Sequence, residues 1–421
     1  MFSAVLLLLL AGGAAAARQP QLRITQERSV VFGPGECDTT GECYPYFRIP
    51  ALKRAKSGAL LAFAEARGGH SGSGSDHGDV QVVMRASSDG SGANGTWGKI
   101  YKVASEDKHT IGNPSPVVDL STGTVFCHFA RDNFDAFVTQ STDEGKPPPP
   151  PRLFPSPHFA LPESALTLCA GKTWSNRTAL DASIKVPGSG WYGSGVGGGT
   201  QLPSGRLLIL SEERKGFCAD AKTHCLPCTK SDNCLTTGYN AVPVYSDDQG
   251  SSWQRGGFLP IADNSSHGAG EPSVSLLGNS STDLIMSARG AGHPTVSFSL
   301  SQDGGLHWQQ TQVIDAINSP GCQSPVSGMY GGAGALITSP VGKSRADLQL
   351  FHATHAGGLR NWASLGTLWP GQAGYSSLMA TESLEPGKGK GDEYMVLFEE
   401  GQKSGAMYQY LSLIKFNITA Q

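Results

Sequence analysis

The apolar positions of this 421-residue chain fall in short runs, "ALLAFAEA", "TVFCHFA", "GRLLIL", "DLIMSA" and "YMVLFEE" among them, bounded by Gly, Pro, Ser and Asp. Runs of that length with turn formers at both ends predict β-strands. No long stretch sustains an apolar helical period, so an all-β fold is expected. One run stands apart. Residues 1–17, "MFSAVLLLLLAGGAAAA", join an apolar core to small residues, the form of a secretory signal peptide. The run is short for a bilayer crossing; an uncleaved anchor is the alternative, although no Lys or Arg precedes the core. No other run approaches about 18 apolar residues. The chain is therefore expected to divide into a leader, 1–17, and one domain, 18–421, with no integral membrane span.

A polar pattern recurs between the strands. "SDDQGSSW" at 246–253 returns as "SQDGGLHW" at 301–308, and as "SSDGSGANGTW" from Ser87 with a three-residue insertion. "STDEG" from Ser141 runs into "KPPPPP" where the tryptophan is due, and "THAGGLRNW" near Thr354 keeps only the glycines and Trp362. The starts at 87, 141, 246, 301 and 354 are spaced by 54, 105, 55 and 53 residues, so one unit near 195 lacks the pattern. A repeat of that size with several short strands fits a four-stranded propeller blade. The domain has room for six, and a β-sandwich with a repeated hairpin is the alternative. Turn chemistry explains the residues: Ser246 and Asp248 can accept backbone N–H bonds, Gly250 can take positive φ, and Trp253 can bury its ring between units. A calcium loop would need regularly spaced oxygens and a closing Glu, which are absent.

Composition narrows the picture slightly. The net charge of −3, without long blocks of one sign, gives no nucleic-acid footprint. Five N-x-S/T sequons, at Asn94, Asn176, Asn264, Asn279 and Asn417, join the leader in pointing to the secretory pathway. Nine cysteines suit an oxidising compartment, with Cys37 and Cys43 bracketing one loop and Cys218, Cys225, Cys228 and Cys234 crowding another. The second group with His224 could instead hold zinc, but its spacing is irregular and disulfides are expected. The odd total leaves a thiol over among Cys127, Cys169 and Cys322.

"YFRIPALKRAKSGALLAFAEAR", residues 46–67, followed by the repeated S-x-D-x-G-x-x-W boxes, resembles the sialidase (exo-α-neuraminidase) family from about residue 46 onward. "LWPGQAGYSSL" and "GALITS" resemble its lysosomal type. The resemblance implies a six-bladed β-propeller with Asp-box repeats and a site on its axis. It also implies exo-α-sialidase hydrolysis of terminal sialic acids from glycoproteins, glycolipids or oligosaccharides, with retention and with neither metal nor organic cofactor. No protein partner is indicated, and lysosomal and extracellular destinations share one leader.

A sialic acid carries a carboxylate on its anomeric carbon, and planar guanidiniums suit that anion. The resemblance assigns it to Arg48 of "FRIP", Arg289 of "LIMSARG" and Arg345 of "SRADLQL", with Arg360 as rival to the last. An anionic nucleophile would be repelled by the substrate carboxylate, whereas a neutral phenol that passes its proton to a nearby Glu as it attacks would not; sialidases use Tyr. Tyr375 in "GQAGYSSL" matches the nucleophile and Glu271 in "GAGEPSVSLL" its base. Asp76, in the Gly- and Ser-rich loop before Arg85, matches the general acid, with Asp79 as runner-up. Glu399 matches the residue orienting Arg48; Glu400 should face the other way on a strand. Arg67 is a candidate for the pocket wall. From another class, an inactive sialoglycan-binding propeller would keep the arginines and lose Asp76, Tyr375 or Glu271. A sialyl-transferring enzyme would keep them all.

Overall fold

The computed structural model describes residues 20–68, 75–145, 174–185, 189–215, 240–260, 268–278, 280–290, 294–381, 393–401 and 408–419. The leader, Cys169, the cluster from Cys218 to Cys234, Asn264 and Asn279 lie outside them. Among the described residues the fold is all-β apart from single helical turns, and no helix is long and apolar enough to cross a membrane.

Four sheets follow one another along the chain, each antiparallel and built mainly in chain order. The first holds Tyr46–Arg54, Leu60–Arg67, Val80–Ser87 and Tyr101–Ala104. The second holds Ile111–Val118, Val125–Arg131, Asp135–Ser141 and Thr178–Ala179. The third holds Ser189–Ser194, Leu207–Lys215, Asn240–Ser246 and Gln254–Arg255, with Thr200–Gln201 added to Leu207–Lys215. The fourth holds Ala269–Leu276, Leu284–Gly290, Val296–Ser301 and Gln312–Val313. A seven-stranded sheet completes the set, in the order Gln21–Phe32, Tyr410–Thr419, Glu393–Glu400, Ala363–Ala380, Ala346–Thr354, Gly334–Pro340, Val326–Gly328.

The strand Ala363–Ala380 has two roles in that sheet. Its first part pairs with Ala346–Thr354, up to Gln372, and its second with Glu393–Glu400, from Ala373. The strand thus passes from the margin of one group of strands to the inner side of another. The sheet's outer edge is Gln21–Phe32, which hydrogen-bonds along Tyr410–Thr419 and joins the two ends of the chain.

Apolar alternation on the middle strands fills the gaps between successive sheets. Phe63 and Met84 of the first meet Val125 and Phe129 of the second, and Phe126 and Val138 of the second meet Leu207 and Ile209 of the third. The same holds from third to fourth, at Leu208, Leu210, Val274 and Met286, and from fourth to the seven-stranded sheet, at Ile285, Phe298, Ile337 and Phe351. Another cluster lies between the two halves of the seven-stranded sheet, around Leu350, Val396 and Phe398. The last joins Leu60 and Ala62 to Met395, Leu397 and Leu411, closing the circuit. First strands face the axis: Tyr46–Arg54 touches both Ile111–Val118 and Ala363–Ala380, and Ala269–Leu276 touches Val326–Gly328. The arrangement is a β-propeller.

The recurring polar pattern is a turn after the third strand of each of these four sheets. In "SDDQGSSW" the Gly250 N–H donates to Ser246 Oγ at 2.8 Å, and Ser252 N–H to Asp248 Oδ1 at 2.9 Å. Gly250 has φ of 82°, where a side chain would strike the Phe126 ring. Trp253 is buried against Phe126 and His128 of the preceding sheet. The serine–glycine bond recurs at Ser141–Gly145, 2.8 Å, and Ser301–Gly305, 3.0 Å. In each copy the residue after the tryptophan faces the residue before the serine, as Gly98 N–H to Ala86 O and Gln309 N–H to Leu300 O, both 2.8 Å. Ser175 N–H to Gln140 O, also 2.8 Å, supplies the second copy's missing member. Its tryptophan is Trp174, returned by the chain after residues 146–173 and packed edge-on to Phe63.

Candidate active site

The residues singled out in the sequence converge at one end of the axis. Tyr375 stands where Ala363–Ala380 has just crossed to the inner side of its second partner, at a register shift between Ala373 and Ser376. Its side chain is buried, and its hydroxyl donates a short hydrogen bond to Glu271 Oε1. Burial and the Glu271 charge hold the phenol well above its ordinary pKa, so it is a neutral donor whose natural proton acceptor is Glu271. Arg289, at the end of Leu284–Gly290, reaches the pair from the strand beside Glu271: its Nη1 donates to Glu271 Oε1 at 2.9 Å and to Tyr375 Oη at 3.2 Å.

Two further guanidiniums flank the same ring. Arg48 Cζ lies 5.4 Å from the Tyr375 ring centre and Arg345 Cζ 5.1 Å. Arg48 is 5% exposed and is held by Glu399, Nε to Oε1 at 3.0 Å and Nη2 to Oε2 at 3.3 Å. Glu399 has no exposed surface and also accepts the N–H groups of Ile49 and Tyr375, at 3.0 and 2.9 Å. One carboxylate therefore fixes both an arginine and the tyrosine backbone. Glu400 points the other way, to Ser412 and Arg28. Arg345 donates to Tyr408 Oη at 2.7 Å and to Gly321 O at 3.1 Å. Arg360 is elsewhere, exposed on a cleft of about 550 Å³ with Asp315, His352 and Trp362 that shares no residue with the Tyr375 cluster.

Asp76 is the open member, its side chain 68% exposed. Its Oδ1 bridges Arg48 Nη1 at 2.9 Å and Arg67 Nη1 at 2.8 Å, whereas Asp79 makes neither contact. Partial burial raises the Asp76 pKa, and the two guanidiniums outweigh it, holding the carboxyl below its ordinary value. Arg67 is fully buried and takes Glu65 Oε2 through Nε at 3.0 Å and Nη2 at 2.5 Å. Four guanidiniums, an exposed acid beside two of them and a phenol on a carboxylate can hold an anion, deliver a proton and supply a neutral nucleophile. Among the described residues no three His, Cys, Asp or Glu side chains gather as metal ligands.

Four residues of the cluster were not assigned to the site from sequence. Glu65 orients Arg67, and Glu212 accepts the Glu271 N–H at 2.6 Å. Tyr408 lays its ring 3.9 Å from Arg48 Cζ, and Cys322 is a buried free thiol packed with Tyr375 and Ile49. Glu65 interrupts the otherwise apolar "LLAFAEA", the one local signal available, whereas Glu212 lies in the polar run "SEERK" that ends its strand and gives none.

A family profile described as "BNR repeat-like domain" matches residues 58–388, most of the chain. Relatives that share sequence with it carry sialidase names. An exo-alpha-sialidase of Arthroderma benhamiae is 29% identical over 180 residues, 42% of this chain and 43% of the relative. Human Sialidase-4 is 30% identical over 248 residues, 56% of this chain and 44% of the relative.

The chain belongs to the sialidase family.

A solved sialidase-type fold, the intramolecular trans-sialidase from Ruminococcus gnavus, superposes with a TM-score of 0.62 at 15% identity over 92% of this chain and 97% of that one, a likeness of fold. The chain spans less than half the length of the two sialidase relatives named above. Within the range of the BNR repeat-like profile fall Arg67, Asp76, Glu271, Arg289, Arg345 and Tyr375; Arg48 and Glu399 lie just outside it, joined to the rest by contact.

Proposed function

We propose that the protein is an exo-α-sialidase that removes terminal sialic acids from glycoconjugates with net retention, on a six-bladed propeller with Asp-box turns. The six-blade count is supported by the four separate sheets together with the two halves of the seven-stranded sheet that share Ala363–Ala380. One observation carries the chemistry: the Tyr375 hydroxyl donates to Glu271 while Arg48, Arg289 and Arg345 surround the same phenol. A carboxylate seated on those guanidiniums brings the adjoining anomeric carbon toward the phenol oxygen.

In the first step Asp76 gives its proton to the glycosidic oxygen, the bond to the aglycone breaks, and Tyr375 bonds to the anomeric carbon as Glu271 takes the phenol proton. In the second, Asp76 draws a proton from water, the water oxygen bonds to that carbon, and Tyr375 departs with the proton returned by Glu271. Two inversions give retention. A secretory route to the lysosome or the exterior is supported by the Cys37–Cys43 disulfide and the leader sequence.

Purified protein is expected to release sialic acid from an aryl α-sialoside between about pH 4 and 7. Tyr375→Phe should lower kcat by about a thousandfold or more, since the nucleophile is lost. No release by the wild type, or undiminished turnover by the variant, refutes the reading. Product analysis in the presence of an acceptor sugar separates hydrolysis from transfer.

A further inference from the structure

Three proline-preceding residues in this fold share an unusual state. Ile49, Asn113 and Glu271 stand before Pro50, Pro114 and Pro272, each with positive φ, 54°, 56° and 45°. A side chain before proline is pushed toward extended backbone, and a non-glycine residue with positive φ is strained; such residues persist where their surroundings over-determine them. Each sits at the register shift of a first strand: Arg48 to Ala51, Gly112 to Ser115, Gly270 to Ser273.

The surroundings repeat as well. In all three the strained N–H donates to a buried glutamate from the second or middle strand of the preceding sheet. Ile49 donates to Glu399 at 3.0 Å, Asn113 to Glu65 at 2.7 Å, and Glu271 to Glu212 at 2.6 Å. Glu399 and Glu65 each also hold an arginine, Arg48 and Arg67. Among the described residues Glu212 has no such bond. The charges near it are Glu271, Arg289, which is itself engaged with Glu271, and Arg214 of its own strand.

We propose that Glu212 is a positioning residue for the Glu271–Tyr375 pair: its carboxyl oxygen accepts the Glu271 N–H, fixes that backbone in its left-handed turn and so aims the Glu271 side chain at the phenol. The inference rests on the sialidase reading for its kinetic consequence. Removing the acceptor frees the Glu271 backbone to relax toward the extended region, which swings its carboxylate off Tyr375. Burial and the neighbouring Glu271 charge push the Glu212 carboxyl up to about 8, consistent with a proton retained at acidic and neutral pH. A carboxamide presents the same oxygen without a charge and should serve equally.

The test compares Glu212→Ala and Glu212→Gln in the full chain on an aryl α-sialoside at pH 5. Glu212→Ala should lose at least tenfold in kcat with KM within about threefold of wild type, because substrate carboxylate binding is untouched. Glu212→Gln should stay within about threefold of wild type in both. Wild-type kcat in Glu212→Ala, or equal losses in the two variants, overturns the inference. If Glu212→Ala does not fold, Glu212→Leu replaces it, with the same expected loss. Peptide-level hydrogen exchange over residues 268–278 reads the positioning without turnover: faster exchange at Glu271 in Glu212→Ala than in Glu212→Gln supports it, and equal protection overturns it. A wild type that fails to turn over thus refutes the activity while the exchange experiment still decides the role of Glu212.

Discussion

Substituting Glu399 by Gln isolates the contribution of one buried charge. All four of its hydrogen-bond partners among the described residues are donors: two guanidinium nitrogens of Arg48 and the N–H groups of Ile49 and Tyr375, at 2.9–3.3 Å. Glutamine fills the same volume but offers one oxygen and one NH2. Whichever way the amide turns, a donor faces the donors on one side, and Arg48 keeps its charge in a site that is almost wholly buried. Breaking a buried ion pair from one side costs about 3–5 kcal/mol. Arg48 retains the exposed carboxylate of Asp76, which places the expectation near the lower end, about 3 kcal/mol, or about two decades in the folding equilibrium. Glu400 supplies a control from the adjacent position. Its partners are Ser412 and the partly exposed Arg28, so Glu400→Gln keeps an acceptor and loses a half-solvated pair, about 0–1 kcal/mol. Urea unfolding midpoints at a common slope measure both. If Glu399→Gln lies within about 1 kcal/mol of Glu400→Gln, the buried charge is not what holds Arg48 and Tyr375 together.

The Asp76 contacts set a pH expectation. In the free protein Arg48 and Arg67 hold its carboxyl below the ordinary value, favouring the deprotonated form. A substrate carboxylate on Arg48 removes part of that bias, so the pKa rises in the complex, and the alkaline limb of kcat should lie at higher pH than that of kcat/KM; coincident limbs refute it. Arg345→Ala should raise KM for a sialoside by tenfold or more while Arg360→Ala leaves it within about twofold, and the reverse order of effects would move the third arginine to the distant cleft. Asp248→Ala should cost about 1–2 kcal/mol of unfolding free energy by chemical denaturation while specific activity per folded molecule stays unchanged; an inactive variant of wild-type stability would put the turn in the chemistry.

The sequence made the turns legible because their chemistry is local: a serine, an aspartate and a positive-φ glycine act within five residues of one another. Tyr375, Glu271, the arginines and Glu399 were picked out through the family resemblance; strand alternation said only that Glu399 and Glu400 face opposite ways. Trp174 was hidden because residues 146–173 intervene between it and its turn, although the backbone bond from Ser175 to Gln140 restores the pattern. Glu65 and Glu212 escaped because their partners, Asn113 and Glu271, are 48 and 59 residues away and lie on another sheet. The recurring "IP", "NP" and "EP" at 49, 113 and 271 was a readable trace of the same device, but without φ nothing distinguishes these prolines from ordinary strand-edge ones. The strand Gln21–Phe32 was similarly quiet: as an outer edge it buries little of its first half, so its alternation is weak.

That edge strand also constrains the order of events during synthesis. Gln21–Phe32 leaves the ribosome long before its partner, Tyr410–Thr419, has been made. The sheets between them can collapse in sequence as they appear, each against its predecessor, but the interface that packs Leu60 and Ala62 against Met395, Leu397 and Leu411 has no second half until those later strands have been made. Arg48 and Tyr375 depend on the same late-arriving residues through Glu399. A chain stalled before Glu393–Glu400 therefore carries the four sheets that precede the seven-stranded one but lacks the carboxylate that holds Arg48 and Tyr375, so the cluster comes together in one late step rather than strand by strand.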